Sequence, residues 1–298
     1  MSNNAIYEVI NKRILERLEE AKQNGIRLKW VKGWEGLGKG NAISGKSYRG
    51  INALFLEPGK YITYRQLCEY QGKHPETEFK VPKGIKQHTV YFFKFREVKE
   101  VIDGEEVVKK IPLLRFYKVY SVSDIENLAE HFLPEKHEHN YTEEMKKADS
   151  IIEEYCNRCG VGLEVKEGSD RCYYSPALHR VVVPPKSAFS SVYEAYGAYF
   201  HELVHSTAKA LGREIGNAFG SEKYSQEELV AEIGSQMLLA TLDLEEPECF
   251  DNSLAYIQGW ESAIKSSGTH FVTTASCRAQ RAVDLILNEV YEHETEEA

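Results

Sequence analysis

Apolar residues near the start of the chain follow the spacing of an α-helix. Ile6, Ile10 and Ile14 recur about one helical turn apart, with polar residues between them, and Gly25 follows at the end of the pattern. This arrangement predicts an amphipathic helix over residues 4–24, because apolar side chains at that interval share one face and glycine commonly ends a helix. The chain is therefore predicted to open with a helix that has one apolar face.

Patterns typical of β-strands dominate the rest of the first half. Residues 89–98 and 106–122 are rich in β-branched and aromatic side chains, and the Asp-Gly pair at 103–104 is typical of a tight hairpin turn. A short helix is predicted over residues 63–70, whereas the glycine-rich stretch 33–50 is predicted to be a loop. These elements together indicate an α+β fold with a small antiparallel sheet.

The second half is predicted to form a separate and mostly helical domain. Short strands at 162–165 and 180–183 are the exceptions, and they precede the helix that carries the metal-binding motif described below. A chain of 298 residues has the length of two ordinary domains, each with its own core. We therefore predict an α+β protein with an N-terminal domain over residues 1–125, a charged linker over 126–145 and a C-terminal domain over 146–298.

A pair of histidines with metal-binding spacing lies in the second half, in the segment His-Glu-Leu-Val-His at residues 201–205. On a helix His201 and His205 point to the same side, so their imidazoles can bind one Zn²⁺ ion together. Glu202, next to the first histidine, can take a proton from a water molecule at the metal. The alternative is an ordinary amphipathic helix with two solvated histidines, which we consider less favoured.

The residues around this segment predict that it lies on a helix. Ser191 and Glu194 have the spacing of a capping box at a helix start. Four apolar residues then form a stripe along the predicted helix: Tyr196, Phe200, Leu203 and Val204.

A zinc site also needs a third protein ligand and an open position for water. Glu228 and Glu232 are four residues apart on a second predicted helix, so one could bind the metal while the other orients a histidine. Glu228 is the favoured ligand and Glu232 the fallback. A competing interpretation makes Glu228 part of a capping box with Ser225. Glu227 lies on another face of the helix and is predicted to be solvated.

Charge is distributed unevenly between the two halves. Residues 1–120 contain 23 Lys and Arg against 14 Asp and Glu, whereas the rest of the chain contains 14 against 32. The protein as a whole has a formal net charge of −9, so the total conceals a basic first half and an acidic second half. Such asymmetry favours contact between the first half and a polyanion.

Aromatic residues are interspersed among the basic residues of the first half. A positive groove with aromatic faces on which bases can stack is the usual way to bind single-stranded nucleic acid. Core packing is the competing role for each aromatic residue. Seven residues are the candidates for a contact with single-stranded DNA: Trp30, Trp34, Tyr48, Arg49, Tyr64, Arg65 and Lys83.

Cysteine usage and hydropathy suggest an intracellular protein. The six cysteines do not form the framework of a small disulfide-rich domain, so they are expected to be reduced. Cys156 and Cys159 have metal-binding spacing, but free thiols are favoured over a structural zinc site because no second such pair follows. The absence of a long apolar run and of a signal peptide predicts a cytoplasmic location without membrane contact.

The motifs resemble those of the ArdC-type antirestriction proteins of plasmids and other mobile elements. The resemblance covers nearly the whole chain. In the first half it rests on Asn41, the run Tyr48-Arg49-Gly50-Ile51-Asn52, the run Thr63-Tyr64-Arg65-Gln66, and Lys83-Gly84. In the second half it rests on the histidine motif, Tyr224, the run Glu227-Glu228-Leu229-Val230-Ala231-Glu232, Tyr256, Trp260 and Ala279-Gln280.

This resemblance implies a domain similar to the part of plasmid TraC primases that binds single-stranded DNA, followed by a zincin-like metallopeptidase domain. It adds Asn52 to the candidate DNA-binding residues. In the related peptidases the third ligand is the first glutamate of a Glu-x-x-Ala turn, which here is Glu228. The implied site thus has His201, His205 and Glu228 as Zn²⁺ ligands and Glu202 as the catalytic base.

The function expected from these features is that of an antirestriction protein that binds single-stranded DNA and carries a zinc peptidase site, with an unidentified protein substrate or restriction enzyme as partner. Two alternatives remain at this point. The acidic half could imitate DNA and inhibit a nuclease while the zinc has only a structural role. A regulatory peptidase that cleaves a repressor is the other.

Overall fold

The computed structural model describes residues 3–24, 39–56, 59–102, 105–132, 141–215, 222–242, 244, 264 and 270–289. The elements of the first half are α1 (Asn3–Asn24), β1 (Lys39–Asn41), α2 (Ile51–Phe55), β2 (Gly59–Ile62), α3 (Tyr64–Lys73), β3 (Gln87–Ile102), β4 (Glu105–Ser121) and α4 (Ala129–Phe132). Those of the second half are α5 (Tyr141–Cys159), β5 (Gly162–Val165), β6 (Tyr173–Ser175), β7 (Arg180–Val183), α6 (Val192–Ser206), α7 (Ala208–Leu211), α8 (Glu222–Thr241) and α9 (Phe271–Leu287). The α+β class is confirmed.

The predicted hairpin is confirmed and is longer than the sequence pattern suggested. Strands β3 and β4 pair in antiparallel fashion from Gln87 opposite Tyr120 to Ile102 opposite Glu105. That last pair leaves two residues for the turn, as the Asp-Gly prediction requires, although residues 103–104 themselves lie outside the described part of the chain.

The predicted small sheet of the first half is present, but it is mixed, because one of its strand pairs is parallel. Its strand order is β1-β2-β4-β3, and β1 pairs with β2 in parallel. Parallel neighbours need a long connection, and residues 42–58, which include α2, provide it. A strand of three residues has too few positions to show a period, which is why β1 could not be recognised from the sequence.

The predicted linker is partly structured. Leu128 is fully buried in a cluster with Ile62, Leu67 and Ile125, so the start of the linker packs on the first half. Helix α5 begins at Tyr141, inside the predicted linker, while residues 133–140 lie outside the described part of the chain.

In the second half a three-stranded sheet lies beside a group of packed helices. The strand order is β5-β7-β6, with β7 parallel to β5 and antiparallel to β6. The helices α6 and α8 approach each other closely at Gly234, where an added Cβ atom would lie 2.8 Å from Cγ2 of Val204. A side chain at residue 234 would therefore force the two helices apart.

One hydrophobic cluster runs through both halves. It includes Ile10 and Ile14 of α1 together with Phe271 and Val272 of α9. A polar contact also joins the two halves. The backbone N–H of Gly50 donates a hydrogen bond to Oε1 of Gln280 at 3.0 Å. The limits proposed for the two domains stay a prediction, since the halves are packed against each other. Within the described residues, no helix has the length and apolarity needed to cross a membrane.

Candidate metal centre

Helix α6 presents the histidine motif because its other face is anchored in the core. Oγ of Ser191 accepts a hydrogen bond from the backbone N–H of Glu194 at 3.1 Å, which confirms the N-cap. The Glu194 carboxylate accepts from the hydroxyl of Ser190. The predicted apolar stripe is fully buried at Tyr196, Phe200, Leu203 and Val204. Burial of this stripe turns His201 and His205 towards α8.

Three side chains with potential ligand atoms meet between α6 and α8. Nε2 of His201 lies 3.2 Å from Nε2 of His205, and each of these nitrogens lies 3.5 Å from a different oxygen of Glu228. In a tetrahedral site with bonds of about 2.0–2.1 Å, neighbouring donor atoms are separated by about 3.3 Å. These three residues, which we call the metal-binding cluster, form a group among the described residues that could hold a metal ion. Their donor types and spacing fit a divalent metal ion.

The interpretation of Glu228 as a helix cap was wrong. Helix α8 begins at Glu222, so both Ser225 and Glu228 lie inside it. Glu232, one turn later, faces the other ring nitrogen of His201, with Oε2 3.6 Å from Nδ1. It therefore occupies the position of a residue that orients a ligand histidine, whereas Glu228 occupies the position of a ligand.

Glu227 is buried, so the prediction that it is solvated was wrong. Only 7% of the residue is exposed, and Oε1 accepts a hydrogen bond from Nδ1 of His205 at 3.2 Å. Arg213 donates to both carboxylate oxygens, each at 3.0 Å. With Nδ1–H donated to Glu227, Nε2 of His205 presents its lone pair to the metal position.

Arg213 is the functional residue that sequence reasoning missed. Its guanidinium also donates to the carbonyl of Val204 at 2.8 Å and to Oγ1 of Thr207 at 2.9 Å, at the end of α6. It thus ties the end of the histidine helix to the carboxylate that holds His205. Its role depends on the fold around α7, and no spacing in the sequence relates it to the motif.

The carboxylates around His201 oppose the effect of burial on its pKa. Burial, the largest influence, lowers the pKa of His201, but Glu228 and Glu232 outweigh it and raise the pKa to about 10. Burial likewise raises the pKa of Glu228, but His201, His205 and a hydrogen bond from Tyr224 bring it below its ordinary value. The metal-free site is therefore a charged cluster in which His201 carries a proton at neutral pH.

Glu202 lies at the edge of this cluster with 9% of its surface exposed. Its carboxylate is close enough to contribute to the raised pKa of His201. Cys172, directly before β6, is a neighbour that the sequence did not reveal. Burial and then the Glu202 carboxylate raise the pKa of the Cys172 thiol to about 11.

The candidate DNA-binding residues are spread over the first half. Tyr64 is 61% exposed at the first turn of α3, and Lys83 is exposed in a loop. Arg65 is exposed and forms a salt bridge with Glu69 at 2.9 Å. Tyr48 is partly buried, with its ring edge against Tyr61. Trp30 and Trp34 lie outside the described part of the chain.

Two further candidates make polar contacts with other elements of the protein. Asn52 is buried and bonds the backbone of Tyr91 on β3, its Nδ2 donating to the carbonyl at 2.6 Å and its Oδ1 accepting from the N–H at 2.7 Å. Arg49 forms a salt bridge with Asp284 of α9. The first contact lies within the first half and the second joins it to the second half, so the role of these residues in DNA binding stays a prediction.

Cys156 and Cys159 both have free thiols. Within the described residues, the metal-binding cluster at His201 is the only group of three or more potential ligands with suitable spacing. The preference for free thiols over a structural zinc site at this pair stays a prediction.

Comparison with protein families defines the class of protein to which this fold and site belong. Residues 150–277 match the family described as zincin-like metallopeptidase. This range includes α6 and α8, on which the metal-binding cluster lies. Residues 4–120 match the N-terminal domain of the anti-restriction factor ArdC. The chain is thus a two-domain α+β protein with a zincin-like metallopeptidase domain.

Solved structures give the more particular assignment. The antirestriction protein ArdC from plasmid R388 aligns in its metal-free form with 29% identity and a TM-score of 0.65, over 94% of this chain and 96% of that protein. Its Mn(II)-bound form aligns with 28% identity and a TM-score of 0.66, over 95% and 97%. The chain belongs to the ArdC family of antirestriction proteins.

Relatives known from sequence include an uncharacterised protein and larger primases. Protein y4eC of Sinorhizobium fredii is 27% identical over 94% of this chain and 90% of its own length. Two DNA primases TraC of Escherichia coli are each 27% identical over 94% and 98% of this chain. The chain spans only 20% and 29% of those primases.

Proposed function

We propose that the second half hydrolyses peptide bonds with a zinc ion held by His201, His205 and Glu228. The observation that carries this proposal is the close approach of the three side chains: the two Nε2 atoms lie 3.2 Å apart, and each lies 3.5 Å from an oxygen of Glu228, which suits a tetrahedral ion. Two nitrogens and one carboxylate are a ligand set typical of catalytic zinc, which keeps its fourth position open. The Mn(II)-bound form of the R388 relative supports a divalent ion in this fold.

The surrounding residues have distinct tasks in such a reaction. When bound, the zinc ion would supply Lewis acidity that polarises the scissile carbonyl and acidifies water. Glu202 acts as the general base that accepts the proton from water and later gives it to the leaving amine. Glu227 and Glu232 hold the two imidazoles by their Nδ1 atoms, and Tyr224 fixes the Glu228 carboxylate through a hydrogen bond.

Glu202→Gln separates hydrolysis from metal binding. The substitution keeps the shape of the side chain and removes its basicity, so zinc content and thermal unfolding should match the parent protein. Proteomics of cells that express either form should reveal a partner cleaved only by the parent. Cleavage by both forms, or by neither, would contradict a peptidase role for Glu202.

We propose that the first half binds single-stranded DNA. The excess of Lys and Arg over residues 1–120, the exposed Tyr64 and Lys83, and the similarity to the TraC DNA primases support this function. Binding to oligonucleotides should weaken as salt concentration rises, because phosphate contacts release counterions. Affinity that did not change with salt would contradict this mode of contact.

How the protein opposes restriction depends on whether cleavage is required. If proteolysis is the mechanism, Glu202→Gln should lose the protection of incoming DNA while it retains zinc and DNA binding. If the acidic half instead imitates DNA, the variant should protect as well as the parent. A peptidase that cleaves a repressor would require Glu202 and would leave the restriction enzyme itself intact, which immunoblotting of that enzyme would detect.

A further inference from the structure

A cavity of about 250 Å³ lies between α1 and the first half of α9, outside the metal centre. Its walls include Tyr7 from α1 and four side chains from α9 and its N-cap: His270, Cys277, Arg278 and Arg281. The residues from α9 recur at helical spacing, so they line one face of the helix over about 16 Å. The cavity therefore has the form of a short groove between the two halves.

The groove is positively charged. Two guanidinium groups line it, and none of the described residues in its walls has a carboxylate side chain. Within the described part of the chain neither Arg278 nor Arg281 forms a salt bridge, although Nη1 of Arg278 donates to Oε1 of Gln226 at 2.7 Å. This basic site is unusual for the second half, where acidic residues outnumber basic ones.

One end of the groove is the N-terminus of α9, a helix of 17 residues. The first hydrogen bond of the helix runs from Thr274 N–H to the carbonyl of His270, which leaves the preceding N–H groups without helical partners. His270 at the N-cap gives no side-chain hydrogen bond to them. Such an end attracts anions through its free donors and its dipole.

Thr273 is an independent indication that a ligand binds there. It lines the cavity and is 2% exposed, yet its hydroxyl has no hydrogen-bond partner in the described structure. Leaving a buried hydroxyl unpaired costs about 1–3 kcal/mol, so native proteins normally satisfy such groups. Because Thr273 lines the cavity, an acceptor oxygen bound there could accept a hydrogen bond from this hydroxyl.

We propose that this groove binds phosphate groups of single-stranded nucleic acid. Arginine donates in pairs to phosphate oxygens, and a helix N-terminus and a threonine hydroxyl complete a site for a tetrahedral oxyanion. The inference rests on the proposed DNA-binding function only for the source of the phosphate. It extends the proposed contact with single-stranded DNA from the basic first half onto α9.

Cys277 provides a direct test because its exposed thiol lies in the groove. The rate at which a maleimide labels Cys277 is measured by mass spectrometry in the full-length protein, with and without inorganic phosphate at constant ionic strength. At a phosphate concentration ten times Kd, labelling should slow about tenfold. Cys68, which is exposed on α3, should be labelled at an unchanged rate.

Arg281→Glu should abolish this protection, whereas Lys147→Glu makes the same charge change on the exposed surface of α5 and should keep it. Equal protection in both variants, or none in the parent protein, would overturn the phosphate site. Stronger protection by acetate than by phosphate would overturn it in favour of a carboxylate ligand.

An oligothymidylate of about twelve nucleotides identifies the source of the phosphate. It should protect Cys277 at far lower concentration than inorganic phosphate, and Arg281→Glu should weaken its binding relative to Lys147→Glu. If the oligonucleotide binds but leaves Cys277 unprotected, the first half binds DNA and the groove proposal is wrong. If phosphate protects and no oligonucleotide binds, a nucleic-acid source is excluded and the DNA-binding function fails separately.

Discussion

The metal centre and the basic surface of the first half differ in how their residues are held. At the metal centre, side chains from two helices converge within hydrogen-bonding distance and are largely buried. On the basic surface, Tyr64 and Arg65 at the start of α3 and Lys83 in a later loop are exposed. Convergence gives each metal-centre residue a defined partner, whereas residues on the basic surface act through their summed charge and exposed rings. Substitutions should therefore have large individual effects at the first site and small, additive effects at the second.

Loss of a ligand should give the largest effect. His205→Ala should reduce zinc affinity by more than the ~10–100-fold that changes around the ligands cost, because one of three protein donors is lost. Zinc content after dialysis, measured by mass spectrometry, checks this. Tyr64→Ala is the control from the basic surface and should retain about one zinc per chain.

Arg213→Ala should have the next largest effect, because it leaves the Glu227 carboxylate buried without its guanidinium partner. We expect zinc affinity to fall by ~10–100-fold and the protein to lose about 3–5 kcal/mol of stability. Arg180→Ala is the matched control, since the salt bridge from Arg180 to Glu164 is exposed. The control should cost less than ~1 kcal/mol in chemical denaturation. Similar losses from both variants would contradict the importance of burial.

Zinc binding should depend on pH, because His201 must lose a proton to bind the ion. Its pKa is raised to about 10, above the ordinary value of 6.5, so the metal-free site holds the proton throughout the neutral range. Apparent zinc affinity should therefore rise by about tenfold per pH unit below pH 10 and level off above it. Calorimetry in buffers of different ionisation enthalpy should detect about one proton released per zinc. No release at pH 7 would show that His201 is already neutral.

Two glycines at the interface of α6 and α8 test whether the metal centre depends on helix spacing. Gly234→Ala should cost about 1–3 kcal/mol and weaken zinc binding, because its Cβ would lie 2.8 Å from Val204. Gly197→Ala should be tolerated, since its Cβ would meet Leu239 at an ordinary 3.6 Å. Thermal unfolding and zinc titration of both variants distinguish them.

The smallest effect is expected on the basic surface. Tyr64→Ala should weaken binding to single-stranded DNA by about 1 kcal/mol through the loss of one stacking face. Lys83→Ala should reduce the salt dependence of binding by about one counterion. Fluorescence anisotropy over a range of salt concentrations measures both. A hundredfold loss from either substitution would indicate a convergent site like the metal centre.

The sequence could predict those features that depend on regular spacing within one element. The two histidines, the cap at Ser191 and the apolar stripe of α6 all follow from helical periodicity, and so does the pairing of Glu228 with Glu232. Features that depend on contacts between elements were missed. Arg213 contacts Glu227 only because the chain turns after α6. The helical spacing within α8 cannot predict a neighbour that comes from outside that helix.

The same limit applies to the first half. Composition correctly located the hairpin, but a basic or aromatic residue does not reveal whether it faces solvent or a neighbour. Arg49 and Asn52 have the residue types of a binding surface, yet they contact Asp284 and the backbone of Tyr91. Their places in the sequence motif are explained at least as well by packing between elements.

The contact between Gly234 and Val204 has a consequence for protein engineering. The distances from Glu228 to the two histidines are set by how closely the backbones of α6 and α8 approach, and that approach depends on the missing side chain at residue 234. Transfer of the histidine motif and Glu228 to another pair of helices would bring the ligands without their spacing. A designer would need to transfer the glycine as well, although it never touches the metal.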